Sequence, residues 1–158
     1  MQDRLKFRGV LKLATQKIVV YSSFLKNYDD ELVLSITEDY FKEQVYKAGY
    51  KLTKEDWKIV NSYSDQDDYY PIFNFYCERV EQCTGLKDKN GKLIYEGDIL
   101  QDSEQKILVK YDVSRHCFMF EYQDTSAYKR ICDMDVLSGN FEVIGNVHEN
   151  ADLLENKR

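Results

Sequence analysis

The 158-residue sequence predicts a mainly β protein with some α-helix, that is, an α+β fold. Short runs of β-branched and aromatic residues recur from residue 7 to residue 147, and such runs are typical of strands. Between residues 38 and 61 the spacing of the apolar residues changes to that of a helix. Short antiparallel strands in so small a chain also favour a small β-barrel, because closure leaves no sheet edge unpaired.

The amino-terminal part is predicted to begin with strands and to continue with a helix. The strands are expected at residues 7–13, 17–21 and 32–36. Phe41, Val45 and Ala48 then lie at i, i+4 and i+7, which is one face of a helix. Because Gly49 is well placed to end it, we predict a helix over residues 38–48.

Capping signals mark the predicted helix starts. Ser35 with Glu38 fits a capping box for the first helix, and Thr37 is the alternative N-cap. Thr53 with Asp56 fits a second box, which predicts a short helix over residues 54–61. A strand is the alternative there, because apolar residues also nearly alternate, at Trp57, Ile59 and Tyr63.

A polar segment suggests where the chain divides. Residues 61–71 are rich in Ser, Asp and Asn and end at the single proline, Pro71, so they look like a linker. We therefore expect an amino-terminal α+β region over residues 1–72, packed on a β-barrel domain over residues 73–158. Strands of the second domain are predicted at residues 73–80, 92–94, 98–100, 107–111, 117–122 and 141–147.

Two local signals mark a turn and a helix start in the second domain. Asn90-Gly91 is a strong hairpin-turn signal. Asn150 is expected to cap a final turn of helix at residues 151–155. Both features place turns between the predicted strands and at the end of the barrel.

The charge balance bears on the partners of the protein. The net charge is −6: the first 80 residues carry 12 basic and 13 acidic side chains, and the remaining 78 carry 10 and 15. Proteins that bind nucleic acid usually carry a basic surplus that displaces counterions from phosphates. The acidic surplus therefore disfavours nucleic acid as a partner.

The location of the protein is also predicted from composition. The first residues lack the uninterrupted apolar core of a signal peptide. No stretch approaches the roughly 18–20 apolar residues of a membrane span. We therefore expect a cytoplasmic protein without a membrane partner, in which the thiols of four cysteines stay reduced, namely Cys77, Cys83, Cys117 and Cys132.

The cysteines and histidines do not form a recognised catalytic or metal-binding pattern. The four cysteines and His116 include the ligand types of a zinc site, but no C-x-x-C pair occurs. His116 and Cys117 are neighbours, and neighbouring residues of a strand point to opposite faces. A Cys–His nucleophile would therefore need His148. Buried thiols explain the cysteines better than either site.

Acidic and glycine-rich segments are equally uninformative about chemistry. The acidic run at Asp65, Asp67 and Asp68 suggests at most weak calcium binding, and the loop at Asp88 has Ile99 where a calcium loop needs Glu. The sequence contains neither of the glycine-rich phosphate-binding motifs, no G-x-S-x-G elbow and no H-E-x-x-H. We expect no cofactor, no metal and no catalytic residue, so that the protein is not an enzyme.

Aromatic residues are the unusual feature of the composition. The chain has 13 Tyr, 8 Phe and 1 Trp, which is 14% of its residues. Such rings pack in cores and across strands, form protein interfaces or stack on bases, and we favour these readings in that order. The densest group is the candidate interaction surface, formed by Tyr69, Tyr70, Phe73, Phe75 and Tyr76.

One segment is recognisable. The stretch from Thr84 to Ile99, TGLKDKNGKLIYEGDI, resembles the hallmark of the YopX family, approximately T-G-L-K-D-K-N-G-K-x-I-Y-E-G-D-I. Residues 142–150 and then 152–154 are similar to its closing pattern, approximately E-V-I-G-N-I-Y-E-N-P-E-L-L. Lys6-Phe7-Arg8 resembles the family's opening K-F-R, although the W-D that commonly follows is missing.

The resemblance is specific from about residue 81 to residue 155, and it implies a fold and a biological setting. The family occurs mainly in bacteriophages and prophages, and its carboxyl-terminal part is expected to be a small β-barrel of the Src-homology type. The resemblance implies no catalytic residue. It implies a structural turn motif formed by Gly85, Asp88, Asn90, Gly91, Glu96, Gly97 and Asp98.

These observations predict a phage or prophage accessory protein in the host bacterial cell. We expect a non-enzymatic, homo-oligomeric protein-interaction module with a host or phage protein as a possible partner. The alternative is a nucleic-acid-associated barrel that binds single strands weakly or mimics DNA by its acidic charge, with cations offered by the hairpin from Lys87 to Lys92.

Overall fold

The computed structural model describes residues 7–22, 25–28, 31–65, 72–102, 105–123, 128–130 and 140–155. The chain forms two compact units, which divide after Glu81. The fold is mainly β with two α-helices among the described residues, so the α+β prediction is confirmed. The sequence places the domain boundary after residue 72, but the strand that follows pairs within the amino-terminal unit.

The amino-terminal unit combines a hairpin, a four-stranded sheet and two helices. Strands β1 (Phe7–Lys12) and β2 (Lys17–Ser22) pair antiparallel. The sheet has the order β3-β4-β6-β5. Its strands are β3 (Leu25–Tyr28), β4 (Glu31–Thr37), β5 (Ser64–Asp65) and β6 (Ile72–Tyr76), and the helices are α1 (Glu38–Ala48) and α2 (Lys54–Ser62).

Both helices form where the apolar spacing predicts them. Helix α1 has the predicted bounds, and Gly49 ends it with a φ of +76°, a left-handed conformation that glycine adopts without strain. Thr53 and Asp56 form the predicted capping box of α2, with the Asp56 amide 3.1 Å from the Thr53 hydroxyl oxygen. The alternative strand at this position is therefore wrong.

The predicted capping box of α1 is also wrong. Ser35 lies inside β4, and its hydroxyl donates to Asn74 Oδ1 across the sheet at 2.7 Å. Thr37 occupies the N-cap position, but its side chain makes no capping hydrogen bond. Because β4 continues up to the first turn of the helix, Ser35 lies opposite Asn74 of β6 and does not cap α1.

Asp56 joins α2 to the turn between β1 and β2. Its carboxylate accepts from the Thr15 hydroxyl at 2.6 Å, from the Thr15 amide at 2.9 Å and from the Thr53 amide at 3.0 Å. Burial disfavours the charged carboxylate, but these hydrogen bonds together outweigh it and lower the pKa of Asp56. The aspartate therefore stays charged and fixes the helix to the hairpin.

The core of the amino-terminal unit lies between its helices and its strands. The buried residues come from β1, β2, the turn between these two strands, β4, β6 and both helices, and they are Leu11, Leu13, Ile18, Val20, Leu34, Ile36, Phe41, Val45, Val60, Phe73 and Phe75. Phe41 of α1 is central, because its ring lies 5.0 Å from the ring of Phe75 and 5.5 Å from that of Phe73. These contacts hold α1 on the sheet.

The carboxyl-terminal unit is built around a five-stranded antiparallel sheet of order β12-β11-β10-β9-β13. The sheet curls into half a barrel around a core of apolar side chains from its concave face. Its strands are β9 (Asp98–Gln101), β10 (Lys106–Asp112), β11 (Cys117–Tyr122), β12 (Tyr128–Arg130) and β13 (Glu142–Asn146). Strand β7 (Arg79–Lys87) enters the unit and pairs with β8 (Leu93–Tyr95).

Two strands differ from the prediction. The strand predicted over residues 73–80 is interrupted at Cys77 and Glu78, where the Glu78 amide donates to the Val10 carbonyl at 2.9 Å. Strand β3 is missing from the prediction, because Leu-Lys-Asn-Tyr contains no β-branched residue and little alternation. Much of the predicted linker, residues 66–71, lies outside the described residues.

The final turn of helix predicted at residues 151–155 is present as a short 3-10 helix, Ala151–Leu154. Asn150 precedes it, but its side chain makes no capping hydrogen bond. Instead, the side chain turns back to accept from the Asn146 amide at 3.2 Å. The predicted cap is therefore wrong, because the asparagine closes the turn after β13.

Neither α-helix in the described part of the chain is long and apolar enough to span a membrane.

Candidate interaction surface

Two of the five residues of the predicted aromatic surface are interior. Phe73 and Phe75 of β6 are buried, so the structure removes both from the candidate surface. They point to the core side of the sheet because residues two apart in a strand share a face. Tyr76 is 45% exposed, and Tyr69 and Tyr70 lie outside the described residues.

Helix α1 exposes two tyrosines instead. Tyr40 is 48% exposed and Tyr46 is 85% exposed, the largest exposed fraction among the large apolar side chains of the described residues. Helical spacing explains this, because Phe41 and Val45 take the inward positions and their neighbours in sequence turn outward. We call the exposed side the α1 face, formed by Asp39, Tyr40, Glu43, Tyr46 and Lys47.

Charge is arranged along the α1 face in one direction. Glu38 and Asp39 lie in the first turn of the helix and Lys47 lies in the last, which complements the helix dipole. Glu38 forms an ion pair with Lys42, and Glu43 forms one with Lys47. Hydrogen bonds to these glutamates raise the pKa of both lysines, so each lysine stays cationic. The face therefore has an acidic start and a basic end, with a tyrosine beside each.

The other side of α1 is fixed to the hairpin by its polar residues. Gln44 accepts from the Tyr21 amide at 2.7 Å and donates to the Tyr21 carbonyl at 2.8 Å. On the buried side of α1, the ring of Phe41 packs against α2, with its centroid 6.1 Å from that of Trp57. Because α1 is attached along its length, the α1 face is a rigid surface that needs little ordering to bind a partner.

In the carboxyl-terminal unit, the predicted turn motif is organised by Asp88. Its carboxylate accepts from the amides of Asn90 at 2.8 Å, Lys92 at 2.9 Å and Val143 at 3.0 Å. Gly91 adopts a φ of +81° at the tip, as a tight turn requires. One carboxylate thus closes the turn between β7 and β8 and also attaches that turn to β13.

Gly97 and Asp98 form a second tight corner. The Gly97 amide donates to the Val109 carbonyl at 2.8 Å, and its own carbonyl accepts from the Val147 amide at 2.9 Å. The Asp98 carboxylate accepts from the Tyr95 amide at 2.8 Å. The amide of Glu96, the residue before Gly97, donates a hydrogen bond to the Gln82 carbonyl at 3.1 Å. The corner therefore holds together β8, β9 and β10 of the same unit.

A third polar turn follows β13. The Asn146 side-chain oxygen accepts from the amides of His148 at 3.0 Å and Glu149 at 3.1 Å. Gly145 has no room for a side chain, because a Cβ there would lie 2.4 Å from Asn150 Oδ1. The sequence Gly145-Asn146-x-x-Glu149-Asn150 is thus explained by backbone hydrogen bonds within one turn.

These three turns coincide with the segments that resemble a known family. A family model described as YopX protein matches residues 26–155. The chain belongs to the YopX family. The match extends well before residue 81, where the recognisable motifs begin, and it includes α1. No curated protein matches the chain.

The carboxylates and glycines of the turn motifs of this YopX protein are engaged with backbone groups. Lys89 of the hairpin forms an ion pair with Glu142 at 2.6 Å, while Lys87 and Lys92 are exposed. Gly85 has a φ of +83°, and its amide donates to Cys83 Sγ at 3.4 Å. The geometry describes a folded turn whose side chains are used to position strands.

The thiols and histidines are dispersed in the structure. Cys83 is buried, Cys77 and Cys117 are half-buried, and Cys132 lies outside the described residues. Burial raises the pKa of the Cys77 thiol to about 12, so it is protonated at neutral pH. His116 lies in the β10–β11 turn with a φ of +53°. Within the described ranges, no three His, Cys, Asp or Glu side chains group as metal ligands.

We expect Asp88 to contribute stability that depends on pH. Its burial disfavours the charge, but hydrogen bonds from the amides of Val143, Lys92 and Asn90 prevail and lower its pKa below 3.8. The contribution is therefore complete above pH 4–5 or so and is lost as the pH falls through the lowered pKa. Asp88→Asn should destabilise the fold by about 1–3 kcal/mol at pH 7.

Chemical denaturation at pH 7 and at pH 3 tests this expectation. The deficit of Asp88→Asn relative to the native chain should shrink at the lower pH, because the Asp88 carboxylate of the unfolded chain takes up a proton at a higher pH than the native one does. Asp102→Asn, in the same unit and near its surface, is the matched control. A deficit that is the same at both pH values would contradict the assigned role.

Proposed function

We propose that this YopX protein is a non-enzymatic, oligomeric interaction module, and that the α1 face binds a second copy of the chain. The observation that carries the proposal is the exposure of Tyr40 and Tyr46 on one rigid helix. Tyrosine is enriched in protein interfaces, because a ring buries apolar area at little entropic cost while its hydroxyl keeps a polar partner.

Charge complementarity favours a second copy over other occupants. When two α1 helices pack antiparallel about a two-fold axis, the acidic start of each lies beside the basic end of the other. Asp39 then approaches Lys47 of the second copy, and each tyrosine contacts the opposite helix. Lys47 also pairs with Glu43 of its own helix, so in the dimer its ammonium group lies between two carboxylates. The two-fold axis thus places opposite charges together at both ends.

Family membership supports the biological setting of the proposal. We propose that the protein is a phage or prophage accessory protein in the cytoplasm of the host bacterial cell, with a host or phage protein as a further partner. The curled five-stranded sheet supports a small barrel of the Src-homology type for the carboxyl-terminal unit. The high pKa of the Cys77 thiol supports a role other than nucleophilic catalysis.

Light scattering coupled to size-exclusion chromatography, over a range of concentrations, tests self-association. The native chain should elute as a discrete oligomer without nucleic-acid absorbance. Tyr40→Ser combined with Tyr46→Ser should weaken association at least about tenfold, the usual effect of losing an interface aromatic. Tyr76→Ser is the matched control, because Tyr76 is as exposed as Tyr40 but lies on β6.

Three results would overturn the proposal. The native chain could remain a monomer at every concentration. The Tyr76 variant could lose association as strongly as the α1 variant. The oligomer could carry nucleic acid, which would favour the nucleic-acid-associated alternative.

A further inference from the structure

Strand β2 pairs with β1 alone among the described strands, and its sequence makes such an edge position prone to strand addition. It contains the run Ile18-Val19-Val20-Tyr21, which is apolar, rich in β-branched residues and free of charge and proline. Segments of this kind add to one another edge to edge when their backbone groups are left unpaired. Strand β1 pairs with one side of β2, and no strand from the described ranges pairs with the other.

The register shows which backbone groups of β2 face that open side. Val10 of β1 directs its carbonyl away from β2, because this carbonyl accepts from the Glu78 amide. Val19 stands opposite Val10, and Tyr21 lies two residues further along β2. In an antiparallel pair, the backbone N–H and C=O groups of two opposite residues either face each other or both point away from the partner strand. Because those of Val10 point away from β2, those of Val19 point away from β1, and Tyr21, two residues on, points the same way as Val19.

Two side chains occupy the positions that another strand would take. The Gln44 carboxamide accepts from the Tyr21 amide and donates to the Tyr21 carbonyl, as a strand backbone would. The Tyr50 hydroxyl accepts from the Val19 amide at 3.1 Å. Both residues are half-buried and come from α1 or the turn after it. The edge is thus closed by groups that come from a helix.

We infer that Gln44 and Tyr50 hold the β2 edge closed against strand addition by a second copy of the chain. In their absence, the β2 strands of two copies have the length, the sequence and the free backbone groups to join two sheets into one. The inference concerns the inner side of α1, so it is independent of the pairing proposed for the α1 face. Helix α1 would then bind a second copy through its exposed side and help to block strand addition at β2 through its inner side.

The test opens the edge without disturbing the core. Gln44→Leu removes both hydrogen-bonding groups and keeps a helix-forming residue, and Tyr50→Phe removes only the hydroxyl. Asn61→Leu is the control, because it puts the same apolar side chain in place of an exposed amide on α2. All variants carry Tyr40→Ser and Tyr46→Ser as well, which separates strand addition from pairing through the α1 face.

Hydrogen exchange and light scattering give the two readouts. The Tyr21 amide should exchange about tenfold faster in Gln44→Leu, and the Val19 amide should respond in the same way to Tyr50→Phe. The combined variant, which carries both Gln44→Leu and Tyr50→Phe, should form oligomers whose mass increases with protein concentration and which bind an amyloid-sensitive dye. The Asn61→Leu control should keep the mass of its parent.

Either of two results would overturn the inference. One is a folded combined variant that keeps the mass of its parent at all concentrations. The other needs no variant: in the native chain, the Val19 and Tyr21 amides exchange as fast as those of an unstructured peptide. That measurement decides the matter even when a variant fails to fold.

Discussion

Replacing Glu81 by alanine is expected to destabilise the protein by about 3–5 kcal/mol, the usual loss when a buried ion pair is broken. Glu81 is 0% exposed and Arg8 is 1% exposed. Arg8 approaches Glu81 Oε2 through Nε at 2.8 Å and through Nη2 at 2.6 Å. The loss is large because the variant removes the carboxylate that two nitrogens of a buried guanidinium contact, and the charge of arginine cannot be removed by deprotonation.

A paired substitution separates the penalty of the orphaned charge from the net value of the pair. Arg8→Met combined with Glu81→Leu should be far less destabilising than Glu81→Ala, because apolar residues of similar volume need no partner. Urea denaturation of the single and double variants measures both quantities. A Glu81→Ala variant within about 1 kcal/mol of the native chain, below the range for a broken buried pair, would contradict this role of Glu81. A double variant less stable than Glu81→Ala would contradict it as well.

Gly9→Ala is expected to destabilise the amino-terminal unit by about 2–3 kcal/mol, at the upper end of the usual overpacking range. A Cβ at Gly9 would lie 2.4 Å from Cys77 Sγ and 2.5 Å from Leu34 Cδ1. Both distances are far shorter than ordinary contacts of carbon with sulfur or carbon, so the Cys77 and Leu34 side chains or strand β1 would have to move.

The reason for the loss is tested by relieving the clash. Cys77→Ala removes the sulfur, so the combined Gly9→Ala/Cys77→Ala variant should lose less stability than the sum of the two single changes. Denaturation of the four proteins in the cycle gives the coupling. Gly91→Ala is a contrasting control, because nothing lies within 4 Å of its Cβ and only its φ of +81° opposes the change. Additive losses in the Gly9 cycle would contradict the steric explanation.

Local signals predict the elements that depend on local chemistry. The apolar spacing and Gly49 are sufficient for the bounds of α1, and Thr53 with Asp56 is sufficient for the start of α2. The bounds of β11 are also those predicted. Each of these features is decided by residues within one or two turns or one strand, so the sequence alone contains the relevant information.

The features that the sequence does not reveal depend on distant residues. Arg8 and Glu81 are 73 positions apart, and nothing in either segment indicates that they meet. Ser35 has a capping pattern, but pairing with Asn74 takes its hydroxyl. The burial of Phe73 and Phe75 of the candidate surface is not predicted for a related reason: the density of aromatic residues shows neither which face of β6 is covered nor that Tyr46 is the more exposed ring. A helical wheel of α1 is the one signal that could have found it.

Charge exchange on α1 tests the central claim, that the α1 face binds a second copy, most directly. Asp39→Lys and Lys47→Glu should each weaken association in light scattering, and the variant with both changes should recover it, because the two ends again meet opposite charges. The double variant opposes the helix dipole at both ends, so greater helix stability would not explain a recovery. Single variants that associate like the native chain, or a double variant weaker than either, would contradict the claim.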